Sequence, residues 1–387
     1  MKRKILCMLT SAVMLTAAAC SEKNESGASS ADSGKTGVQS DMVYFSGTGS
    51  VYNGGFIYNL GIDSPTYYLD LNTQEKSALC AVPNCTHRVS SCLAQQAGNN
   101  PVFYNDSIYY FVSSFGYEEV PEGHRFYMKS TLYKARLDSS EAEKVVEFTD
   151  CVPTEGGGIV LDGNTIWFIG DDESPIPENI YDDTWISESD TPGSHFMCSI
   201  NLDTGEYKNF GSITDEDKQY PCRSQCNNAN IRGIYKDKLV IDYQYAFKDM
   251  EEYNNGADNP IDCVKFLSFE FDTKTETLIQ NERPAPITAD GNVYIGCDFA
   301  ENTMTVITDS GERNYNYDEL SASVAACNGK VFGLTKWIDT ADFSEHTYPE
   351  SIDEWVNVAY HNGSYYFLTT KGKTIEISEE MMNGEQS

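Results

Sequence analysis

The feature that most constrains this chain is a motif repeated along most of its length. A turn of Asn or Asp with Gly, or a near equivalent, runs straight into an apolar, aromatic-rich strand. It occurs as Asn53-Gly54-Gly55-Phe56-Ile57-Tyr58, Asn105-Asp106-Ser107-Ile108-Tyr109-Tyr110, Asp162-Gly163-Asn164-Thr165-Ile166-Trp167, Lys236-Asp237-Lys238-Leu239-Val240-Ile241, Asp290-Gly291-Asn292-Val293-Tyr294-Ile295, Asn328-Gly329-Lys330-Val331-Phe332 and Asn362-Gly363-Ser364-Tyr365-Tyr366-Phe367. Each is a tight-hairpin signal, because these turn residues accept the backbone that joins two twisted strands. A second turn follows in several repeats: Leu71-Asn72-Thr73, Leu137-Asp138-Ser139, Leu202-Asp203-Thr204-Gly205 and Phe271-Asp272-Thr273. Four strands joined by two kinds of short turn, repeated every several tens of residues, predict an all-β chain folded as a β-propeller of four-stranded antiparallel blades. About seven blades are expected, with six as the alternative, because residues 323–378 supply clear strands for only part of two blades. Met42 to Phe45 is expected to complete the last blade and close the ring.

This register sorts the connections. If the Asn-Gly turns join first to second strands and the Asp-Thr turns join third to fourth, both lie on one face, and all other connections emerge opposite. The extra chain length falls there: Phe115 to Ser130, Asp171 to Gly193, Phe247 to Asp262 and Ile338 to Glu354, with Cys80 to Asn100 and Gly211 to Asn230 between blades. Long connections in a compact domain are commonly functional. They hold aromatic residues, of which Tyr117, Tyr181, Trp185, Tyr253, Trp337 and Trp355 are the candidate ligand-stacking positions, interleaved with carboxylates such as Asp171, Asp172, Glu173, Asp182, Asp183, Glu251 and Glu252. Aromatic planes beside carboxylates suit sugar rings or cationic peptides. The competing reading is that the rings pack the connections against the propeller while the acids are solvated. Asp203-Thr204-Gly205 matches an aspartic-protease triplet but sits in the same turn as Asp272-Thr273-Lys274 and Asn72-Thr73-Gln74, so it reads as a turn.

Residues 1–20, MKRKILCMLTSAVMLTAAAC, carry a charged tip, an apolar run and small residues before a cysteine. Ile5 to Ala19 is shorter than the roughly 20 residues that span a bilayer, so the segment reads as a cleaved export signal. Ala17-Ala18-Ala19-Cys20 resembles a bacterial lipobox, although Ala17 stands where Leu is usual. An ordinary Ala-x-Ala cleavage at the same bond is the alternative. Residues 1–19 are thus expected to be a signal peptide. Cys20 is expected to carry the acyl chains that anchor the protein to the outer face of the cytoplasmic membrane. The Ser- and Gly-rich stretch that follows, with Cys20 making up residues 20–42, reads as a tether. Residues 43–380 form the propeller and 381–387 a tail. Ser33-Gly34-Lys35-Thr36 mimics a phosphate-binding loop, but Ser29 occupies the earlier glycine position and no strand precedes it. The net charge is −32, and loss of Lys2, Arg3 and Lys4 with the signal makes it more negative still. Such a surface repels nucleic acid and anionic lipid, so the bilayer is touched through the Cys20 anchor alone.

The sharpest local cluster is Cys80, Cys85, His87 and Cys92, in the first inter-blade connection. Three cysteines and a histidine within thirteen residues could supply a closed tetrahedral zinc site, with wider gaps than usual. For an exported chain, disulfides are the competing reading, as they are for Cys222 and Cys226 on the same face. Cys198, Cys263, Cys297 and Cys327 lie in or beside apolar strands and read as small buried side chains.

The lipobox, the Ser-rich tether, the Cys-x4-Cys-x-His-x4-Cys pattern after the first blade and repeats of the form Asp-Gly-x-Ile-Tyr-Phe together resemble propeller-like lipoproteins of gut clostridia and related Gram-positive anaerobes. The resemblance covers nearly the whole chain and implies fold and location, not activity. An exterior poor in oxygen would favour free thiols and metal binding.

Gly-x-Ser-x-Gly, His-Glu-x-x-His and a complete calcium loop are missing. His124, His195 and His346 could meet above the central channel. The leading expectation is a non-catalytic surface module binding an extracellular glycan, peptide or partner protein through its long-loop face. A polysaccharide hydrolase or lyase on the same scaffold, and a thiol or metal sensor built on Cys80, Cys85, His87 and Cys92, are the alternatives.

Overall fold

The computed structural model describes residues 42–384 apart from the intervals 46–49, 60–63, 89–91, 99–100, 121–122, 137–141, 155–156, 173–193, 216–227, 247–263, 318–323 and 350–351 and a few isolated positions. For residues 115–127 it describes no side chains. The fold is a β-propeller. Seven antiparallel meanders follow one another among the described residues. The first is Ser50–Tyr52, Gly55–Tyr58, Tyr67–Asp70 and Lys76–Ala78, and the second Val102–Tyr104, Ser107–Val120, Gly123–Arg136 and Ala142–Phe148. The third is Ile159–Asp162, Thr165–Asp171, His195–Asn201 and Tyr207–Ser212, and the fourth Asn228–Tyr235, Lys238–Ala246, Val264–Asp272 and Thr277–Asn281. The fifth is Ala285–Gly291, Val293–Asp298, Thr303–Thr308 and Gly311–Asn316. The sixth is Ala325–Cys327, Lys330–Phe332, Lys336–Asp339 and Glu345–Thr347, and the last, of three strands, is Trp355–His361, Ser364–Thr369 and Thr374–Ser378.

Core strands are apolar on both faces, as the all-buried Ser364–Thr369 shows, so each meander must pack against a neighbour on either side. Apolar clusters run from one meander to the next around the ring. Ile295, Met304 and Val306 of the fifth meet Ala326, Val331 and Ile338 of the sixth. The last closes on the first, with Val356, Ala359, Tyr366 and Leu368 against Val51, Phe56, Tyr58 and Leu69.

The two kinds of short turn do lie on one face, and their side chains hold neighbouring meanders together. Asn72 accepts from Asn362 Nδ2 at 3.1 Å and lies 2.9 Å from His361 Nε2 across the closing seam. Asp203 accepts from the Tyr104 hydroxyl of the second meander at 3.4 Å and from Asn164 Nδ2 of its own at 2.7 Å, and Thr273 Oγ1 of the fourth meander donates to Asp162 of the third at 2.7 Å. The triplet Asp203-Thr204-Gly205 is a turn, but its register against Asp272-Thr273-Lys274 is shifted. The strand-ending residue accepts the two turn amides in each case: Asp70 from Asn72 and Thr73, Asn201 from Asp203 and Thr204, Asp272 from Lys274 and Thr275. Asp203 therefore matches Asn72 and Lys274.

Three other expectations are corrected. Met42–Phe45 does not complete the last meander; it pairs antiparallel with Ile159–Asp162, the first strand of the third. Its apolar side chains find burial on that inner edge, where Tyr44 donates to the Ile231 carbonyl at 2.9 Å. Phe115 to Ser130 is not an open loop, because Ser107–Val120 and Gly123–Arg136 stay paired up to a two-residue connection. Ile338 to Glu354 contains the end of the sixth meander's third strand and all of its fourth, joined at Asp339-Thr340, an Asp-Thr turn of the expected kind.

One backbone approach is steric. Asn228–Tyr235 of the fourth meander pairs parallel with Ala285–Gly291 of the fifth, joining them into an eight-stranded sheet. At Gly233, φ is +135° and an added Cβ would fall 2.0 Å from the Ala289 carbonyl oxygen. Gly233→Ala is expected to cost about 3 kcal/mol through strain and overpacking. Gly363→Ala, with φ +80° but open space around it, should cost about 1 kcal/mol. Urea midpoints of the two variants check the difference.

Candidate metal centre

Strand Lys76–Ala78 ends the first meander, and the chain crosses to the second through residues 79–101. Two residues in the left-handed region, Asn84 (φ 61°) and His87 (φ 55°), fold this connection back on itself. The Cys85 amide donates to the Val82 carbonyl at 3.2 Å, closing the tight turn that carries Asn84. Cys92 then opens the short helix Leu93–Gln96, whose Leu93 and Ala94 are buried and fasten the segment to the core. Gln95 Nε2 donates back to the His87 carbonyl at 2.6 Å, holding the helix against the turn.

These local interactions bring Cys80, Cys85, His87 and Cys92 together, with one ligand atom of each within 4.8 Å of all the others. His87 Nδ1 lies 3.6 Å from Cys92 Sγ. Zinc bonds of about 2.3 Å to sulfur and 2.0 Å to nitrogen set neighbouring corners of a tetrahedron roughly 3.5–3.8 Å apart, so this edge fits. All three cysteines are free thiols, and Cys92 is buried while the other three residues are half-buried. The backbone N–H of His87 donates to Cys85 Sγ at 3.4 Å and holds that thiol below its usual range, assisted by Cys92 and Cys80. Burial pushes the Cys92 thiol up to about 11. A cation at the centre would reverse that preference and hold all three sulfurs as thiolates. The donor set, three soft sulfurs and an imidazole with a turn amide on one sulfur, suits a closed site with no open position for substrate.

The other candidate positions separate. Trp337 and Trp355 are 1% and 2% exposed and belong to the core between the sixth and last meanders, so neither presents a face to a ligand. Trp337 packs under Lys330, 4.3 Å from its ring, and against His346 at 4.2 Å. The apolar pattern of Lys336–Asp339, hidden within an apparent loop, was the signal that Trp337 is a strand residue. Tyr117 lies on Ser107–Val120 with only its backbone described, whereas Tyr181, Trp185, Tyr253, Cys222, Cys226 and Cys20 lie outside the described residues. His195 and His346 do not converge: His195 is buried beside Tyr243 in the third meander, and His346 stands on the outermost strand of the sixth. The side chain of His124 is outside the described residues. Cys198 and Cys297 are buried free thiols as expected, but Cys327 is disulfide-bonded.

No protein-family model matches the chain, and no curated protein matches it. Similar solved structures include Sqt1 of Saccharomyces cerevisiae, at 11% identity and a TM-score of 0.38 over 89% of this chain and 84% of that one. BamB from Moraxella catarrhalis is 9% identical with a TM-score of 0.30, over 85% and 71%. An oligogalacturonate lyase in complex with manganese is 12% identical with a TM-score of 0.30, over 85% and 74%. None of these likenesses carries an activity to this chain.

Replacing one ligand, in Cys85→Ser or His87→Ala, should weaken zinc retention at least about tenfold. Competition with a colorimetric chelator reads this directly. At zinc a hundred times its dissociation constant, the metal should add about 2.7 kcal/mol of stability, lost on chelation.

Proposed function

We propose that this protein is an exported, lipid-anchored and non-catalytic β-propeller that binds a glycan, peptide or partner protein through its long-connection face. In this reading Cys80, Cys85, His87 and Cys92 hold a structural zinc ion that stiffens one edge of that face. The observation that carries it is the difference between the two faces. On the short-turn face, side chains such as Asn72, Asp162 and Asp203 are engaged in hydrogen bonds between neighbouring meanders, Asp203 with Tyr104 of the second, and Asn164 ties Asp203 within its own meander. On the opposite face, the longer connections leave the ring, and the Cys/His cluster lies among them. A closed four-ligand site favours a clamp over a catalytic metal, which keeps a position open for substrate.

The acidic surface narrows the ligand. A net charge of −32 disfavours polyanions, leaving neutral glycans and cationic peptides as the classes that aromatic rings and carboxylates recognise together. Cys20 would fasten the protein to the bilayer while the charged domain stays off the headgroups.

Native mass spectrometry of residues 21–387, purified without chelator, tests the clamp: one zinc per chain is expected. Arrays of neutral glycans and of basic peptides test the face. Tyr117→Ala, Tyr181→Ala and Trp185→Ala should each weaken binding by roughly 5- to 30-fold, the worth of one stacked ring at about 1–2 kcal/mol. Unchanged binding in all three would move the site elsewhere, and glycan turnover by the pure protein would overturn the non-catalytic reading. Radiolabelled palmitate should enter the wild type in the cell and be lost in Cys20→Ser.

A further inference from the structure

A second pair of sulfurs lies apart from the Cys/His cluster. Cys151 immediately precedes the two-residue strand Val152–Pro153, which pairs with Asp171 and Gly170. Cys198 stands on His195–Asn201, opposite Phe168 of the same meander. Both side chains are 0% exposed, and their sulfurs lie 3.8 Å apart. Gly170 makes the approach possible, since a Cβ there would fall 2.4 Å from Cys151 Sγ and 3.2 Å from Cys198 Sγ.

The surroundings fix both sulfurs in place. The Tyr207 hydroxyl lies 3.3 Å from Cys151 Sγ and 3.5 Å from Cys198 Sγ. It also donates to the Asp150 carboxylate at 3.0 Å, and that carboxylate accepts from Asn209 Nδ2 at 2.8 Å. Phe148 stacks on the Tyr207 ring at 4.4 Å. Contact with Cys198, together with burial, holds the Cys151 thiol far above its usual range. A thiol so placed is a poor nucleophile, so the pair is unsuited to surface catalysis or rapid sensing.

We propose that Cys151 and Cys198 are joined as a disulfide when the chain folds in the presence of a small-molecule disulfide. The position gives the bond a role. Thr165–Asp171 leads into residues 172–194, His195–Asn201 leads out of them, and Val152–Pro153 flanks the near strand. The bond is a staple at the foot of one of the long connections on the face that the proposed function assigns to ligand binding.

The chemistry is thiol–disulfide exchange. One cysteine thiolate, still exposed before the core closes, attacks a sulfur of the small disulfide and releases one small thiol. The second cysteine attacks the resulting mixed disulfide, forms the Sγ–Sγ bond and releases the other small thiol. The protein loses two protons and two electrons, and the oxidant becomes two thiols.

The full mature chain, refolded with oxidised and reduced glutathione, provides the test. It is denatured without reductant, alkylated, digested and mapped by mass spectrometry. The expected result is a linked pair of peptides containing Cys151 and Cys198, two hydrogens lighter than the separate thiols and free of alkylation. Cys327, disulfide-bonded in this fold, is the internal control for sufficient oxidation. Alkylation of both Cys151 and Cys198 while Cys327 stays protected would overturn the proposal. So would a second zinc per chain in native mass spectrometry with both thiols shielded by it. Cys151→Ala, which also loses buried packing, should fall further below the wild type in oxidising buffer than in reducing buffer; an equal drop in both would also count against the staple.

Discussion

The structure depends on burial between meanders more than within them. A four-stranded sheet whose inner strands are apolar on both faces has no stable state alone, and each seam supplies cover to two sheets at once. The seam that closes the ring is the one formed by distant parts of the chain: Val51, Phe56 and Leu69 meet Val356, Ala359 and Leu368, and Asn72 meets His361 and Asn362 on the rim. Until that seam forms, two sheets expose apolar faces to water. Stability is therefore shared around the circle, and loss at one seam is felt at its neighbours.

Much of this arrangement was legible in the sequence, because it is written in local chemistry. Asn-Gly and Asp-Gly turns followed by alternating aromatics announce hairpins whatever their distant partners are, and their recurrence announces stacked sheets. The two faces followed by parity alone. Partners that depend on long-range packing were not legible. Met42–Phe45 looks like any apolar strand, and only the inner edge at Ile159–Asp162, with Ile231 beyond it, decides where it pairs. Trp337 and Trp355 resemble loop aromatics until the short strands around them are recognised. Asp203 resembles its counterparts by name, whereas its structural equivalents are Asn72 and Lys274, since the amide-capping role belongs to the residue that ends the strand.

The metal-ligand set was readable because it is contiguous: the turn at Asn84, the bend at His87 and the helix opened by Cys92 assemble four donors with little help from the rest of the fold. The Cys151–Cys198 pair is the opposite case. Forty-seven positions separate the two sulfurs in the chain. They meet only because Gly170 has no side chain, a condition that spacing does not reveal.

The seating of Met42–Phe45 in the middle of the ring sets an order of events. A chain that emerges N-terminus first exposes this strand early, but its partner Ile159–Asp162 follows only after two whole meanders have appeared. The strand must wait, unpaired and apolar, while the sheets that will surround it are made. It is the first strand of the domain to leave the machinery, yet it finds its place only once the third meander has begun to appear, so its seating lags behind its own emergence.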